Sequence, residues 1–371
     1  MLIIDRLSGS GDQTIHDYLL RNDRSLLYAN PRFIGLVAQH LAAEPSWFMA
    51  RRSGELVGVL PCLVKSGPLG PVFNSLAYYG SNGGVIQHDA DLEAKSGLID
   101  AFYIQASIDK ACSATLITNP LEQDAYFYNN AINYDYRDER IGQVTHFNGV
   151  GSEDDLLKLF EDPRPRNIRR AIKEGITVEK SQSAEAIDFL FHTHEQNIHA
   201  IGGISKDKTF FDEISKRMQK HEWAIFTASL HGENIAALLL FYFNRTVEYF
   251  TPATVETYRS SQPLALIIYR AMLDAINHGM TNWNWGGTWL SQGGVYDFKK
   301  RWGTCDYPYY YYTKIFDPTV ARQRKQFLLE HYKGFFVIPF TQLKTKKGWT
   351  HEKEIDYRGH RAVSRGCPLL L

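Results

Sequence analysis

The chain has 371 residues, 44% of them hydrophobic and 22% charged, and its 41 basic and 41 acidic side chains cancel to zero net charge. Length and composition fit an ordinary folded protein of two or three domains. The balanced charge removes a global electrostatic case for DNA or an anionic membrane as partner and leaves only local patches to consider.

MLIID reads as a first strand, and Gln13–Leu20 and Pro31–Ala42 as two short helices. The N-terminal residues lack the long apolar core of a signal peptide, and no apolar run reaches the roughly 18 residues of a membrane span. A cytoplasmic protein without a membrane span is therefore expected. SWFMARRSGELVGVLPCLV (46–64) predicts strand, turn and strand, with Ser53-Gly54 at the turn. SLAYYGSNGGVI predicts a further strand broken by glycines. Asp91–Ile108 follows as a helix and Ala114–Thr118 as a strand. Cys62, Cys112, Cys305 and Cys367 are widely spaced, without a CxxC or a Cys/His cluster of metal-ligand spacing. They read as buried thiols of a reducing compartment, with no metal site.

Ser152–Phe160 predicts a helix. DPRPRNIRRAIKEG predicts a second, basic one, crowding Arg164, Arg166, Arg169, Arg170 and Lys173 together. Such a cluster serves either phosphate contact or a solvated face. ITVEK is a strand and Ala184–His199 a helix. His192, His194 and His199 lie on or near it, but their spacing does not gather them on one face for a metal.

A pattern repeats. Phe48, Ala50, Gly54 and Glu55 form F-x-A-x-x-x-G-E, and so do Phe226, Ala228, Gly232 and Glu233. Each copy enters an apolar strand, then a further strand, a helix and another strand. We read two copies of one α/β unit, each a mixed, largely antiparallel sheet flanked by helices.

The second copy carries the most informative stretch, Val247–Phe316. VEYFTPA predicts a strand, TVETYRSSQ a polar loop, and PLALIIYRAMLDAINHG an amphipathic helix. Pro263 suits its first position and Gly279 its C-terminal end. Ser260, Ser261 and Gln262 can cap its free amides. MTNWNWGG predicts a strand, with Trp283 and Trp285 on one face and Asn282 and Asn284 on the other. GGVYDFKKRWG predicts a short basic helix and PYYYYTKIF a last strand. A solvent-open helix start can hold a phosphate, and Arg259 adds charge beside it. Pro318–Tyr332 predicts a further helix, Gly334–Phe340 a segment packed back on the domain, and 344–371 a polar, disordered tail.

On RNIRRAIKEGITVE, WAIFTASLHGENIAALLLFYF, the loop and helix just described, and GGVYDFKKRWG, the chain resembles the two-domain FemAB-like branch of the GNAT acyltransferases. That branch includes enzymes that build peptidoglycan bridges from aminoacyl-tRNA. The resemblance implies tandem GNAT-like domains at 1–150, the acceptor side, and 151–343, the donor side. It implies direct acyl transfer to an amine, with the donor between two parted strands, Val247–Thr251 and Thr281–Gly286. By the same resemblance the catalytic residues are Lys299, Phe298 and Tyr249. Phe250, Thr251 and Ala253 would present amides to the acyl carbonyl, and Arg259, Ser260, Ser261 and Gln262 would meet the carrier's phosphates. Tyr78, Tyr79, Asn82, Asn284 and Trp285 would meet the acceptor.

Departures shape the expected reaction. YRSSQP replaces the glycine-rich pyrophosphate loop of the wider superfamily. NIHAIGGISKDK lacks the arginine that contacts a sugar-peptide diphosphate. The expectation is an N-acyltransferase, with acyl-CoA favoured as donor and the amine of a sugar, nucleotide sugar or amino acid as acceptor, in cell-envelope or polysaccharide synthesis. An aminoacyl-tRNA-dependent transferase of peptidoglycan-bridge type is one alternative, and a non-catalytic module of the same fold another.

Overall fold

The two hairpins that share the repeated pattern fold alike. In both, two residues of positive φ make the turn: Ser53 (φ 53) and Gly54 (φ 89), then His231 (φ 52) and Gly232 (φ 85), the geometry that matches strand twist in two-residue hairpins. Both also slip register just outside the turn, between Ala50 and Arg51 and between Ala228 and Ser229. The computed structural model describes residues 1–78, 82–203 and 205–343, so the expected tail from residue 344 lies outside the described residues.

The first half runs β1 (Leu2–Ser8), α1 (Gln13–Leu20), α2 (Pro31–Leu41), β2 (Glu44–Arg52), β3 (Glu55–Lys65), β4 (Val72–Ser75), α3 (Leu92–Ile108), β5 (Ser113–Ile117), α4 (Ala125–Ala131) and β6 (Tyr136–His146). The second half runs α5 (Glu153–Leu159), α6 (Arg164–Lys173), β7 (Thr177–Ser181), α7 (Ala184–His199), α8 (Lys208–Arg217), β8 (Trp223–Leu230), β9 (Glu233–Phe243), β10 (Thr246–Thr254), α9 (Pro263–Asn277), β11 (Asn282–Trp289), α10 (Gly293–Lys300), β12 (Thr304–Ile315) and α11 (Lys325–His331).

All twelve strands form one sheet, in the order β1-β2-β3-β4-β5-β12-β6-β11-β10-β9-β8-β7. Among the described residues only β4 with β5 and β10 with β11 are parallel, each pair being joined through a helix, α3 or α9, as parallel strands require. The order is symmetric about its middle. Each half contributes five consecutive strands, and its closing strand crosses to the other half: β6 pairs with β11, and β12 with β5. The sheet is thus mixed and largely antiparallel, with helices on both faces.

On one face α1 and α2 share a single core with α7 and α8, through Leu19, Phe33, Leu190, Phe210 and Phe241. Arg32 of α2 crosses to the buried Glu222 at 2.6 Å, and Asn30 donates to the same carboxylate. On the opposite face α3 covers the first half, while α5, α6 and α9 cover the second. β9 is buried on both faces, Leu238 and Leu240 in one core and Leu239 and Phe241 in the other, which is why AALLLFYF is apolar without alternation.

Several expectations are corrected. The strand placed at SLAYYG ends earlier, at Ser75. Beyond it Gly83 folds back on the β4 end and donates to the Ile117 carbonyl at 3.0 Å. A side chain there is impossible, since a Cβ would lie 1.5 Å from the Ser75 oxygen. The helix expected over Pro318–Tyr332 breaks into a 3-10 turn, Pro318–Arg322, and α11. α4, β6 and α8 had no counterpart in the sequence reading. Cys62 and Cys112 are buried free thiols, whereas Cys305 is not free. Val337 and Ile338 are buried, and the Phe336 backbone exchanges hydrogen bonds with the Asn74 side chain. No helix among the described residues is long and apolar enough to cross a membrane.

Candidate active site

The parallel ladder of β10 and β11 holds three pairs, Thr246↔Asn282, Val247↔Trp283 and Glu248↔Asn284, and then stops, although both strands continue. Each strand kinks just past that point. β10 slips against β9 between Tyr249 and Thr251. β11 slips against β6 between Asn284 and Gly287, with Gly286 at φ +70. Paired bulges turn the strands apart and open a fork. The first copy has no such fork. All four residues of β4 pair with β5, and Gly83-Gly84 fill the place beyond, where the Ser75 hydroxyl bridges to the Ile117 and Gly84 amides.

Glu248 sits at the apex. Its carboxyl is 1% exposed, accepts from Asn284 at 3.2 Å and from the Tyr28 hydroxyl at 3.3 Å, and is pushed up to about 8 by burial. Sequence reading missed it, because one glutamate in VEYF looks like an exposed strand position.

Beside the fork lies a cavity of about 280 Å³. The N-terminus of α9 forms one wall. Gln262 stands before it in the left-handed region (φ 61) and does not cap it, its side chain being held by Asn167 and the Arg259 carbonyl. The expected capping by Ser260, Ser261 and Gln262 is therefore absent, because the segment Glu256–Ser261 winds into a 3-10 turn. Arg259 and Gln262 line the cavity; Ser260 and Ser261 do not, and the Ser261 side chain hydrogen-bonds Glu174. Pro263 brings no N–H and the Ala265 amide is taken by the Gln262 carbonyl at 3.1 Å, so the α9 end offers the cavity the Leu264 N–H and a positive dipole end, with no side chain capping it.

Arg164 forms the facing wall. The basic helix α6 points it inward, unlike the exposed Arg166, Arg169, Arg170 and Lys173. Its guanidinium lies 4.4 Å from the centroid of Phe298 and 5.1 Å from that of Trp302. It donates to the Phe298 carbonyl at 3.0 Å, and its Nε has no partner. Burial, reinforced by Arg301, lowers its pKa to about 10. A buried, half-satisfied guanidinium opposite the positive end of a helix is a fitting anion site.

Phe298 lines the same cavity, as does Ala253. Lys299, next along α10, turns to the β11 bulge and donates to the Gly286 and Gly287 carbonyls, at 3.3 and 3.1 Å, and to Thr288 Oγ1 at 2.9 Å. Burial lowers it to about 8. Tyr249 packs on Trp283 and Trp285, and burial pushes its phenol well up. Phe250, the bulged residue, joins an aromatic cluster with Phe33, Phe210 and Phe241. Behind it, burial lowers Lys206 to about 8, and burial with Lys206 nearby lowers His194 to about 4. Thr251 is fully buried. Pro252 brings no N–H to this edge, and the Thr254 amide is taken by Asn197.

The residues expected at the acceptor scatter. Tyr78 lines a second cavity between the halves, and Tyr79 lies outside the described residues. Asn82 is buried away from that cavity. Asn284 is committed to Glu248. Trp285 is a core residue, stacked on Trp302 and donating to Thr145 at 3.0 Å, so it has no free face for a ligand. Among the described residues no cluster of His, Cys, Asp or Glu is arranged to hold a metal.

Residues 164–300, which span the site except for Tyr28 and Trp302, match the family described as acetyltransferase (GNAT) domain. No curated protein matches the sequence. Among solved structures, FemX is 16% identical with a TM-score of 0.67, covering 85% of this chain and 98% of its own. L-PGS from Bacillus licheniformis is 12% identical at 0.51, covering 87% and 97%. A conserved protein of unknown function from Bacteroides thetaiotaomicron is 10% identical at 0.51, covering 83% and 93%. At these identities the likeness is one of fold.

Proposed function

We propose that this chain is an N-acyltransferase moving an acyl group from a phosphate-bearing carrier to an amine, a reading supported by the match of residues 164–300 to a GNAT acetyltransferase domain and by the likeness of the fold to FemX. The observation that carries this reading is the fork between β10 and β11, opening beside the uncapped α9 end. Acyl-CoA is the favoured donor. Its phosphates would meet the positive end of α9, Arg259 and Arg164, and its thioester would reach the fork past Phe298. The amine lone pair forms the new N–C bond, the C–S bond breaks, and the sulfur leaves as thiolate. Glu248, ionised, accepts the amine's proton. The Lys299 ammonium, held on the bulge carbonyls, balances negative charge developing at the fork. A well-placed oxyanion donor is worth roughly 3 kcal/mol and a positioned base about 10²–10⁴-fold in other enzymes.

The first half, 1–150, would present the acceptor and the second, 151–343, the donor. The acceptor class is an amino group of a sugar, nucleotide sugar or amino acid, in cell-envelope or polysaccharide synthesis. Both candidate carriers are cytoplasmic, which supports the cytoplasm as the place of action. Aminoacyl-tRNA is the alternative donor, and one observation favours it: Arg166 and Arg169 are exposed on the same helix as Arg164, where a polynucleotide backbone could follow them.

Mass spectrometry of small molecules released from the natively purified protein tests the reading. A coenzyme A thioester is the expected result. Absence of any carrier, with no acyl-CoA or aminoacyl-tRNA raising the melting temperature, would leave the fold as a non-catalytic module.

A further inference from the structure

The second cavity, of about 410 Å³, lies between the sheet and the returning segment that contains Phe336. β12 lends it Tyr309 and Tyr311, β11 lends Gly287 and Trp289, and β6 lends Arg140. It is joined to the fork through one residue. The Gly287 carbonyl holds Lys299, while its α-carbon lies so close to the Tyr309 hydroxyl that a Cβ would be 1.9 Å from it.

Its walls are flat and charge-compensated. The Arg140 guanidinium lies 3.3 Å from the Trp289 ring centroid and 4.9 Å from that of Tyr311. Its terminal nitrogens are already taken by Asp138, at 2.8 and 2.9 Å, and by the Glu139 carbonyl. Lys333, at the rim, pairs with Asp207. An incoming phosphate would find no uncommitted cation among these two. The Tyr311 and Phe336 rings pack on each other in the wall, with centroids 4.9 Å apart at 49°. Trp289 remains 46% exposed, a large ring held rigid by Arg140 and left open at the mouth. Aromatic faces take up the C–H face of a flat or chair-shaped ring, while the Tyr309 hydroxyl, hydrogen-bonded to the Tyr311 side chain, is a polar handle at the inner end.

We propose that this cavity seats the acceptor by an uncharged sugar ring, its amine directed to the fork, with any phosphate or peptide portion left outside. The inference rests on the acyl-transfer reading for the amine's direction, but binding of the ring does not depend on turnover. It narrows the acceptor to an amino sugar whose ring, and not a nucleotide diphosphate, is recognised.

Saturation-transfer NMR with methyl glucosaminide, on the full chain without donor, reads the ring directly. Saturation of the ring C–H protons is expected, weakened about tenfold or more in affinity by Trp289→Ala, a half-exposed site at which truncation leaves the core untouched. Tyr311→Leu serves as the second variant. Arg164→Met, in the other cavity, should leave sugar binding unchanged. The proposal is overturned if methyl glucosaminide does not bind, if binding survives both variants, or if phenethylamine or octylamine binds more tightly than the sugar. Carrier binding, read separately by thermal shift with acetyl-CoA, keeps the two readings apart. Carrier without sugar sinks this inference alone, and sugar without carrier sinks acyl transfer but leaves the cavity assigned.

Discussion

Glu248 and Asn284 form the last pair of the β10–β11 ladder, and their side chains are hydrogen-bonded across it at 3.2 Å. The point at which the sheet opens is thus also the point at which a carboxylic acid is held out of water.

That burial sets the first prediction. Glu248 keeps its proton in the fold up to about pH 8, whereas in the unfolded chain it ionises near its ordinary value, about 4.3. The folded state therefore binds more protons between these values, and its stability falls as pH rises through that window. Glu248→Gln can keep the Asn284 and Tyr28 contacts while removing the titration. Its melting temperature should fall less between pH 5 and 8 than that of the wild type, and kcat should drop by about 10²-fold or more. Unchanged kcat would remove Glu248 from the reaction.

Two groups then bound the pH–rate profile. Glu248 accepts a proton only when ionised, above about 8. Lys299 balances charge only when protonated, below about 8. The profile of kcat should be a narrow bell near pH 8, and Lys299→Met should lose its alkaline limb. The same variant leaves two carbonyls and a hydroxyl without their donor, costing about 1–3 kcal/mol by thermal or urea unfolding.

Gly287→Ala should disrupt the bulge. Its Cβ would meet Tyr309 Oη at 1.9 Å and Cζ at 2.9 Å, an overpacking cost of about 1–3 kcal/mol. Adding Tyr309→Phe removes the closer atom and should recover part of the stability and activity. A double mutant no better than Gly287→Ala alone would show that this contact is not what the glycine serves.

Charge variants separate the two proposed donors. Arg164→Met keeps cover over Phe298 and Trp302 but loses the cation, and should weaken acetyl-CoA binding at least about tenfold, the scale of one charge-assisted hydrogen bond. Reversing Arg166 and Arg169 to Glu should leave acetyl-CoA binding within about twofold under physiological salt, because exposed charges are screened. A large effect of that reversal on transfer from aminoacyl-tRNA, with none from acetyl-CoA, would move the assignment to tRNA.

The sequence was most legible where local signals decide. Both hairpins, the strand-loop-helix leading into α9 and the DFKKRWG helix follow from turn residues and apolar period. Legibility fails where partners are remote. Glu248 draws its environment from Tyr28 and Asn284, on separate elements, and Arg164 turns inward because Phe298 and Trp302 await it. β6 escaped notice for the same reason. Its Arg140, Gln143, Thr145 and His146 look solvated, yet each finds a partner: Asp138, Thr288, Trp302 and Asn282. A central strand can be polar when neighbouring chain segments satisfy it. Nor does sequence foretell Trp285 in the core and Trp289 at a cavity mouth, since the bulge between them resets the alternation.

The crossing of the two closing strands governs how the molecule can be made. β12, the last strand in chain order among the described residues, belongs at the centre of the sheet, between β5 and β6. Until it arrives, the nascent chain holds β5 with an open edge, and the Gly287 end of the fork lacks the tyrosine packed against it. The two halves therefore cannot each be completed in turn during synthesis, and a chain stopped before residue 304 is expected to keep an open, association-prone sheet edge.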